Sequence, residues 1–344
     1  MAQEKILRVK NLEFFFRTYG GIVKSVRDVS FDIHEGEIVG IVGESGCGKS
    51  VTAQSILKLN PEPPGFFGEK SSIKFKGEEI VTKTDKEMRK IRGKDIGFIF
   101  QDPMTSLNPT MRIGKQIEEV LEGRKGYTKK QRKERTLEIL RLVGISDAEK
   151  RYRQYPHELS GGMKQRVMIA IALVGNPSII IADEPTTSLD VTIEAQILSL
   201  LKELQEKLHT AIIFITHDLG VIAKLCDRVM VMYGGKIVET GDVEDIYYHT
   251  AHPYTVGLMN SITRLELDRA TKLEPIEGTP PDLFSPQGCP FAARCKYAMN
   301  ICYRKPPEEY EVGEGHTCTC WLKDERSPKI ELKTQLTQKE ESYE

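Results

Sequence analysis

"GESGCGKS", residues 43–50, decides the fold. It fits the pattern G-x-x-x-x-G-K-[ST], it follows the apolar run "EIVGIV", and "VTAQSILKL" continues from it with helical character. Strand, glycine-rich loop and helix in that order make a phosphate cradle. Gly43, Gly46 and Gly48 let successive backbone N–H groups turn inward around a β-phosphate, Lys49 reaches β and γ oxygens, and the Ser50 hydroxyl can ligate Mg2+. Ser45, Cys47 and Val51 complete the set of loop residues expected to touch a nucleotide.

Outward from the cradle, short β-rich runs alternate with longer polar or amphipathic stretches: "GEIVGIVG", "IGFIF", "SIIIAD", "TAIIFITH" and "RVMVMYGGKIVE". That alternation predicts an α/β core of parallel strands joined by helices. Between about residues 102 and 176 the reading changes, and from Asn108 onward "IGKQIEEVLEG", "TKKQRKERTLEILRLVGI" and "MKQRVMIAIALVG" carry helical periodicity. This is an inserted helical subdomain. The Pro- and Gly-rich segment "NPEPPGFFGEKSS", residues 60–72, reads as a surface loop. Three stretches follow: a nucleotide-binding domain over 1–250, a cysteine-bearing extension over 251–323, and a charged tail over 324–344 expected to be mobile.

Composition limits the function. In 344 residues, 49 basic side chains face 50 acidic ones, a formal net charge of -1, so bulk charge gives no support to nucleic-acid binding. The start "MAQEKILRVK" lacks the apolar core of a signal peptide, and runs such as "VMIAIALVG" fall short of the roughly 18 residues that span a bilayer. A cytosolic chain is expected, one that does not cross a membrane by itself.

A phosphate cradle needs an acidic partner. "SIIIADE", residues 178–184, supplies an apolar strand ending in two carboxylates, with Asp183 suited to the Mg2+ shell and Glu184 to polarising an attacking water. "LSGGMKQR", residues 159–166, sets Ser160 as an N-cap before a helix whose positive end is open to an anion. A simple phosphate-loop kinase or GTPase does not account for that segment.

Taken in order, "GESGCGKS", "LSGGMKQR", "SIIIADEPT", "SLD" and the His of "ITH" resemble the ATP-binding cassette ATPases. The resemblance implies an ABC-type fold, a RecA-like core with an antiparallel β subdomain and the helical insert. It implies ATP as ligand and a head-to-tail dimer in which Ser160, Gly161, Gly162 and Gln165 of one chain close on the γ-phosphate held by the other. It also implies that Gln101 of "IGFIFQDP" ligates Mg2+ beside Ser50 and Asp183, that Asp190 crosses the dimer, that His217 meets the γ-phosphate, and that Tyr19 stacks on adenine. Phe14 to Phe16 are the other aromatics near that position.

Five of the seven cysteines fall late in the chain, Cys289, Cys295, Cys302, Cys318 and Cys320, spaced C-x5-C-x6-C-x15-C-x-C. Four thiolates suit zinc or an iron-sulfur cluster, and the spacing does not choose between them or exclude buried free thiols. Cys47 occupies a variable loop position and Cys226 reads as apolar filler. "AHPYTVGLMNS", "GTPPDL", "GCPFAARC" and "GHTCTCWL" are similar to the C-terminal extension of ATPase subunits in dipeptide and oligopeptide importers. That similarity implies a [4Fe-4S] cluster on Cys289, Cys295, Cys302 and Cys320, the last standing four residues after His316. It further implies transmembrane permease subunits, a second ATPase subunit that is a copy or a paralogue, an extracellular substrate-binding protein, and a peripheral place on the cytoplasmic face. Nickel or oligosaccharide import, and a soluble cassette ATPase acting on nucleic acid or ribosomes, are the competing functions.

Overall fold

The computed structural model describes residues 4–122, 124, 127–187, 189–261 and 276–334. Along the chain run β1 (Lys5–Thr18), β2 (Gly21–His34), β3 (Ile38–Val42), α1 (Lys49–Ile56), β4 (Gly65–Phe67), β5 (Ser72–Phe75), β6 (Glu78–Glu79), α2 (Asp85–Ile91) and β7 (Ile96–Ile99). Next come α3 (Pro103–Ser106), α4 (Ile113–Glu119), α5 (Lys129–Leu142), α6 (Ala148–Arg151), α7 (Gly161–Leu173), β8 (Ile179–Asp183), α8 (Val191–Leu208) and β9 (Ala211–Thr216). The remainder is α9 (Leu219–Leu225), β10 (Arg228–Tyr233), β11 (Lys236–Asp242), α10 (Val243–Tyr248), α11 (Pro253–Asn260), α12 (Asn300–Arg304), β12 (Tyr310–Gly313) and β13 (His316–Cys318). These elements fall into two compact units.

One unit holds residues 75–215 with two short N-terminal pieces. Its strands β7, β8 and β9 are parallel, with Ile96 opposite Ile179 and Ile179 opposite Ala211. Every residue of β8 and β9 is buried, which is why these strands are continuous apolar runs rather than alternating ones. α7 packs on β7 at a close approach: a Cβ on Gly97 would stand 2.5 Å from the carbonyl oxygen of Ala172. Helices α3 to α7 fall within residues 103–173, with α3, α4 and α5 packed on α7. α5 begins at a capping box made by Thr128 and Gln131, satisfying two backbone donors that the helix itself leaves open.

The other unit holds residues 8–32, 39–74 and 216–344. In it β10 runs parallel to β3 and antiparallel to β11. "RVMVMYGGKIVE", expected among the parallel strands, is therefore a hairpin, because Gly234 and Gly235 have φ of 53° and 82° and permit a two-residue turn that L side chains disfavour. β13 adds to β11, with Glu239 opposite Cys318, and β12 pairs with β13, so the C-terminal extension contributes strands to this sheet. Within the expected loop 60–72, Gly65–Phe67 is a strand on β1, with Phe14 opposite Phe67 and their rings edge-on at 4.9 Å. An aromatic partner on β1 overrides the local turn composition. Of the tail, residues 335–344 lie outside those described; Ser327 donates to the Trp321 carbonyl and Thr334 is buried.

Candidate nucleotide site and cysteine cluster

The cradle forms where β3 ends and α1 begins. Gly43 has φ 152° and Gly48 φ 105°, and a Cβ at either would strike backbone, the Met232 carbonyl at 2.1 Å or the Ser25 carbonyl at 2.5 Å. Only glycine fits both, which is the physical content of two fixed positions of the motif. Lys49 is buried, and its ammonium donates to the carbonyls of Gly43 at 2.8 Å and Glu44 at 3.0 Å. Ser45 and Gly46 are exposed at the crest, while Ser50 and Val51 are half-buried on the first turn of α1. Burial pushes the Cys47 thiol up, so that side chain is neutral packing behind the loop. Tyr19 is fully exposed in the turn between β1 and β2, whereas Phe14 is completely buried. His217 is exposed immediately after β9.

In the unit that carries β8, Asp183 closes the strand and is buried, and Glu184 follows it with φ 46°. A left-handed conformation is unfavourable for a glutamate and persists here because neighbours fix it. The Glu184 N–H donates to the Ile215 carbonyl at 2.9 Å, and its carboxylate accepts from Gln101 Nε2 at 2.9 Å and Thr187 Oγ1 at 3.0 Å. Gln101 thus keeps its carbonyl oxygen for another partner. Ser160 caps α7 by accepting from the Met163 N–H at 3.4 Å, and Gly161 has open space where a Cβ would stand. Gly162 does not: a Cβ there would meet Ile193 at 2.9 Å. Asp190 caps α8 through the N–H groups of Thr192 and Ile193.

Gln165 of α7, which the resemblance sets against a second subunit, makes a contact within its own chain. It is 1% exposed and Nε2 donates to the Pro185 carbonyl at 2.6 Å, so it braces the turn after Glu184. The sequence offered one signal for this, the helical spacing that places residue 165 on the inward side of α7 with Met168 and Ile169.

The later cysteines gather around the segment Cys289–Cys320. Cys289 lies within electrostatic range of Cys320, Cys302 and Cys295. Burial pushes the Cys289 thiol up to about 12 and the Cys295 thiol up to about 11. Each of the four sulfurs also receives a backbone N–H: Cys289 from Phe291, Cys295 from Tyr297 at 3.4 Å, Cys302 from Met299 at 3.4 Å and Cys320 from Leu322. Cys318 differs. Burial first, then its hydrogen bond with Cys320 and the nearby Glu239 charge, push its thiol well up, and the same bond holds Cys320 down. Among the described residues no three His, Cys, Asp or Glu side chains are grouped so as to hold a metal ion.

Three residues that the sequence did not single out complete the picture. Arg294 pairs with Glu44 of the cradle, Nη1 to Oε2 at 2.6 Å and Nη2 to Oε1 at 3.0 Å. Tyr254 Oη accepts from the Glu44 N–H at 2.8 Å, and Tyr233 stacks tilted on Tyr254 with ring centres 4.4 Å apart.

Comparison with known proteins agrees with this geometry. Residues 26–187 match the family described as ABC transporter, and residues 238–302 match the oligopeptide/dipeptide transporter C-terminal region. The oligopeptide transport ATP-binding protein OppD of Bacillus subtilis (strain 168) is 54% identical over 328 residues, covering 95% of this chain and 91% of that protein. The dipeptide transport ATP-binding protein DppD of the same organism is 55% identical over 325 residues, covering 94% and 96%. Among solved structures, a dimeric post-hydrolysis state of an ATP-binding cassette bound to ADP and Pi superposes with a TM-score of 0.61 at 30% identity, covering 69% of this chain and 98% of that one.

Proposed function

The chain belongs to the ATP-binding subunits of oligopeptide and dipeptide ABC transporters, and on that premise we propose how its residues divide the work of import. It hydrolyses ATP to drive uptake of di- and oligopeptides, acting with membrane permease subunits and a second ATPase subunit. One observation carries this reading: a cassette match and a peptide-transporter C-terminal match stand in a single chain that aligns with OppD across 95% of its length.

Lys49 and the amides of the cradle bind the phosphates, and Tyr19 offers its exposed ring to the adenine. Ser50, Gln101 and Asp183 are three hard oxygen donors, the set that suits Mg2+. When bound, that ion neutralises charge on the β and γ oxygens. Glu184, aimed by Gln101 and Thr187, takes the proton of the attacking water. Ser160, Gly161 and Gly162 stand at the start of α7, with Ser160 and Gly161 exposed, and close on the γ-phosphate of a second subunit; Asp190 and His217 complete that interface. Hydrolysis removes the phosphate that joins Lys49 of one chain to Ser160 of the other, and the dimer reopens.

We propose that Cys289, Cys295, Cys302 and Cys320 would hold a [4Fe-4S] cluster. The reading is supported by Cys289 lying within electrostatic range of the other three sulfurs and by a backbone N–H reaching each of the four. Such a cluster would cross-link an extension with little core of its own.

Among the described residues no helix is long and apolar enough to cross a membrane. We place the chain on the cytoplasmic face, against permease subunits that an extracellular binding protein supplies. The partner ATPase is a second copy or a paralogue. Reconstitution with its permease in proteoliposomes tests the function: labelled di- and tripeptides enter on addition of ATP, and nickel or oligosaccharide entering in their place would overturn the peptide assignment.

A further inference from the structure

Arg294 stands inside the cysteine segment, one residue before Cys295, and all five of its guanidinium N–H groups are engaged. Nη1 donates to Glu44 Oε2 at 2.6 Å and Tyr233 Oη at 3.1 Å, Nη2 to Glu44 Oε1 at 3.0 Å and the Ile276 carbonyl at 2.9 Å, and Nε to the Glu277 carbonyl at 3.0 Å. The side chain is 6% exposed. Glu44, its partner, belongs to the phosphate cradle and is held at three points: carboxylate by Arg294, N–H by Tyr254 Oη, and carbonyl by the Lys49 ammonium. Phe291 of the same segment closes against Tyr233 and Tyr254, with ring centres 5.2 Å and 5.4 Å away. The short 3-10 turn Ala292–Arg294 thus sets a planar cation and an aromatic ring behind the loop, between Cys289 and Cys295.

We infer that Arg294 is a positioning residue for the nucleotide site, fixing the backbone of residues 43–47 through the Glu44 carboxylate. The inference deepens the function proposed above and rests on residues 43–50 being the nucleotide site. A loop already held in its binding shape loses less freedom when phosphates arrive, so its affinity for nucleotide is higher. A lysine cannot replace the fork: it carries a point charge on three rotatable donors and would leave at least one Glu44 oxygen or backbone carbonyl unpaired. Acting through another residue, Arg294 governs nucleotide binding more than the chemical step, and KM moves more than kcat.

The test is binding of a fluorescent ATP analogue with Mg2+ to the full chain, comparing wild type, Arg294→Lys, Glu44→Gln, the double variant and Lys49→Ala. Each single variant is expected to weaken binding about tenfold, and the double variant also about tenfold, because both changes break one link. Amide hydrogen exchange across residues 43–50 should quicken in Arg294→Lys, whereas a merely structural role lowers the melting temperature and leaves the Kd alone. Wild-type affinity in both single variants, with binding lost in Lys49→Ala, overturns the inference, and so does a double variant weakened about a hundredfold. Wild-type affinity in Lys49→Ala overturns the assignment of the site itself.

Discussion

Gln101 Nε2 donates to Glu184 Oε2 at 2.9 Å, joining the segments that follow two neighbouring parallel strands. Glu184 sits in a left-handed conformation at φ 46°, and Thr187 holds the same oxygen at 3.0 Å, so its carboxylate is aimed by its surroundings. A group held this way is suited to take a proton from water at a fixed place. Glu184→Gln should bind ATP normally and lose turnover by about a hundredfold or more. Light scattering with ATP should then show a persistent dimer. Turnover near the wild-type rate would remove Glu184 as the base.

Ser160 and Gly161 are exposed at the start of α7, and the Ser160 cap on Met163 is long, 3.4 Å. Its loss should cost about 1 kcal/mol or less of stability. ATP turnover should fall far more if the residue closes a site in another chain. Mixing separates the two. A Lys49→Ala chain and a Ser160→Ala chain, each inactive alone, should regain activity together, because one of the two composite sites then has an intact Lys49 and an intact Ser160. Continued inactivity in a demonstrated mixed dimer would place Ser160 in a role confined to its own chain.

Much of the nucleotide site was legible because its chemistry is local. Gly43 to Ser50 encode a loop in eight residues, and β8 with its two carboxylates is encoded in seven, so one reading frame holds both the element and its purpose. Legibility failed where partners are distant. Nothing near Arg294 announces Glu44, which lies 250 positions earlier, and nothing near Gly65 announces the Phe14 ring that makes a strand of a turn-rich segment. Gln165 shows another limit: the motif names the residue but not its contact with Pro185, which depends on the helical phase of α7. The hairpin at Gly234 and Gly235 was written in the sequence and read as part of a parallel run, since its apolar strands share the composition of the core.

Burial of the His252 ring lowers its pKa to about 4; the Glu239 charge opposes that shift and Lys323 adds to it. Its Nδ1 accepts from the Tyr254 N–H at 3.0 Å and caps α11. An unfolded imidazole titrates near 6.5, so below that pH the unfolded chain takes up a proton that the folded chain refuses. Stability therefore falls as pH drops from about 6.5 to about 4 and levels off below, by on the order of 3 kcal/mol from this residue. His252→Asn keeps an acceptor at the cap and removes the titration. Urea midpoints at pH 7 and pH 5 should differ more for the wild type than for this variant; equal losses would assign the acid sensitivity elsewhere.

Cys318 and Cys320 are two residues apart and chemically opposite. Cys320 is held down by a hydrogen bond from Cys318 and by the Leu322 N–H, whereas Cys318 is buried beside Glu239 and opposite it on β11. A metal-bound sulfur must be a thiolate, and a thiolate next to a carboxylate in a dry site is strongly disfavoured. On the proposed reading the expected ligand is Cys320, with Cys318 as its neutral donor. Anaerobically purified wild type and Cys318→Ser should each carry about four iron and four sulfide per chain, while Cys320→Ser should carry little of either. A serine at 318 retains an O–H donor for the Cys320 sulfur, which is why iron is expected to stay. Iron lost only from Cys318→Ser would exchange the two roles, and zinc without sulfide in the wild type would replace the cluster with a structural ion while leaving the ATP site as described.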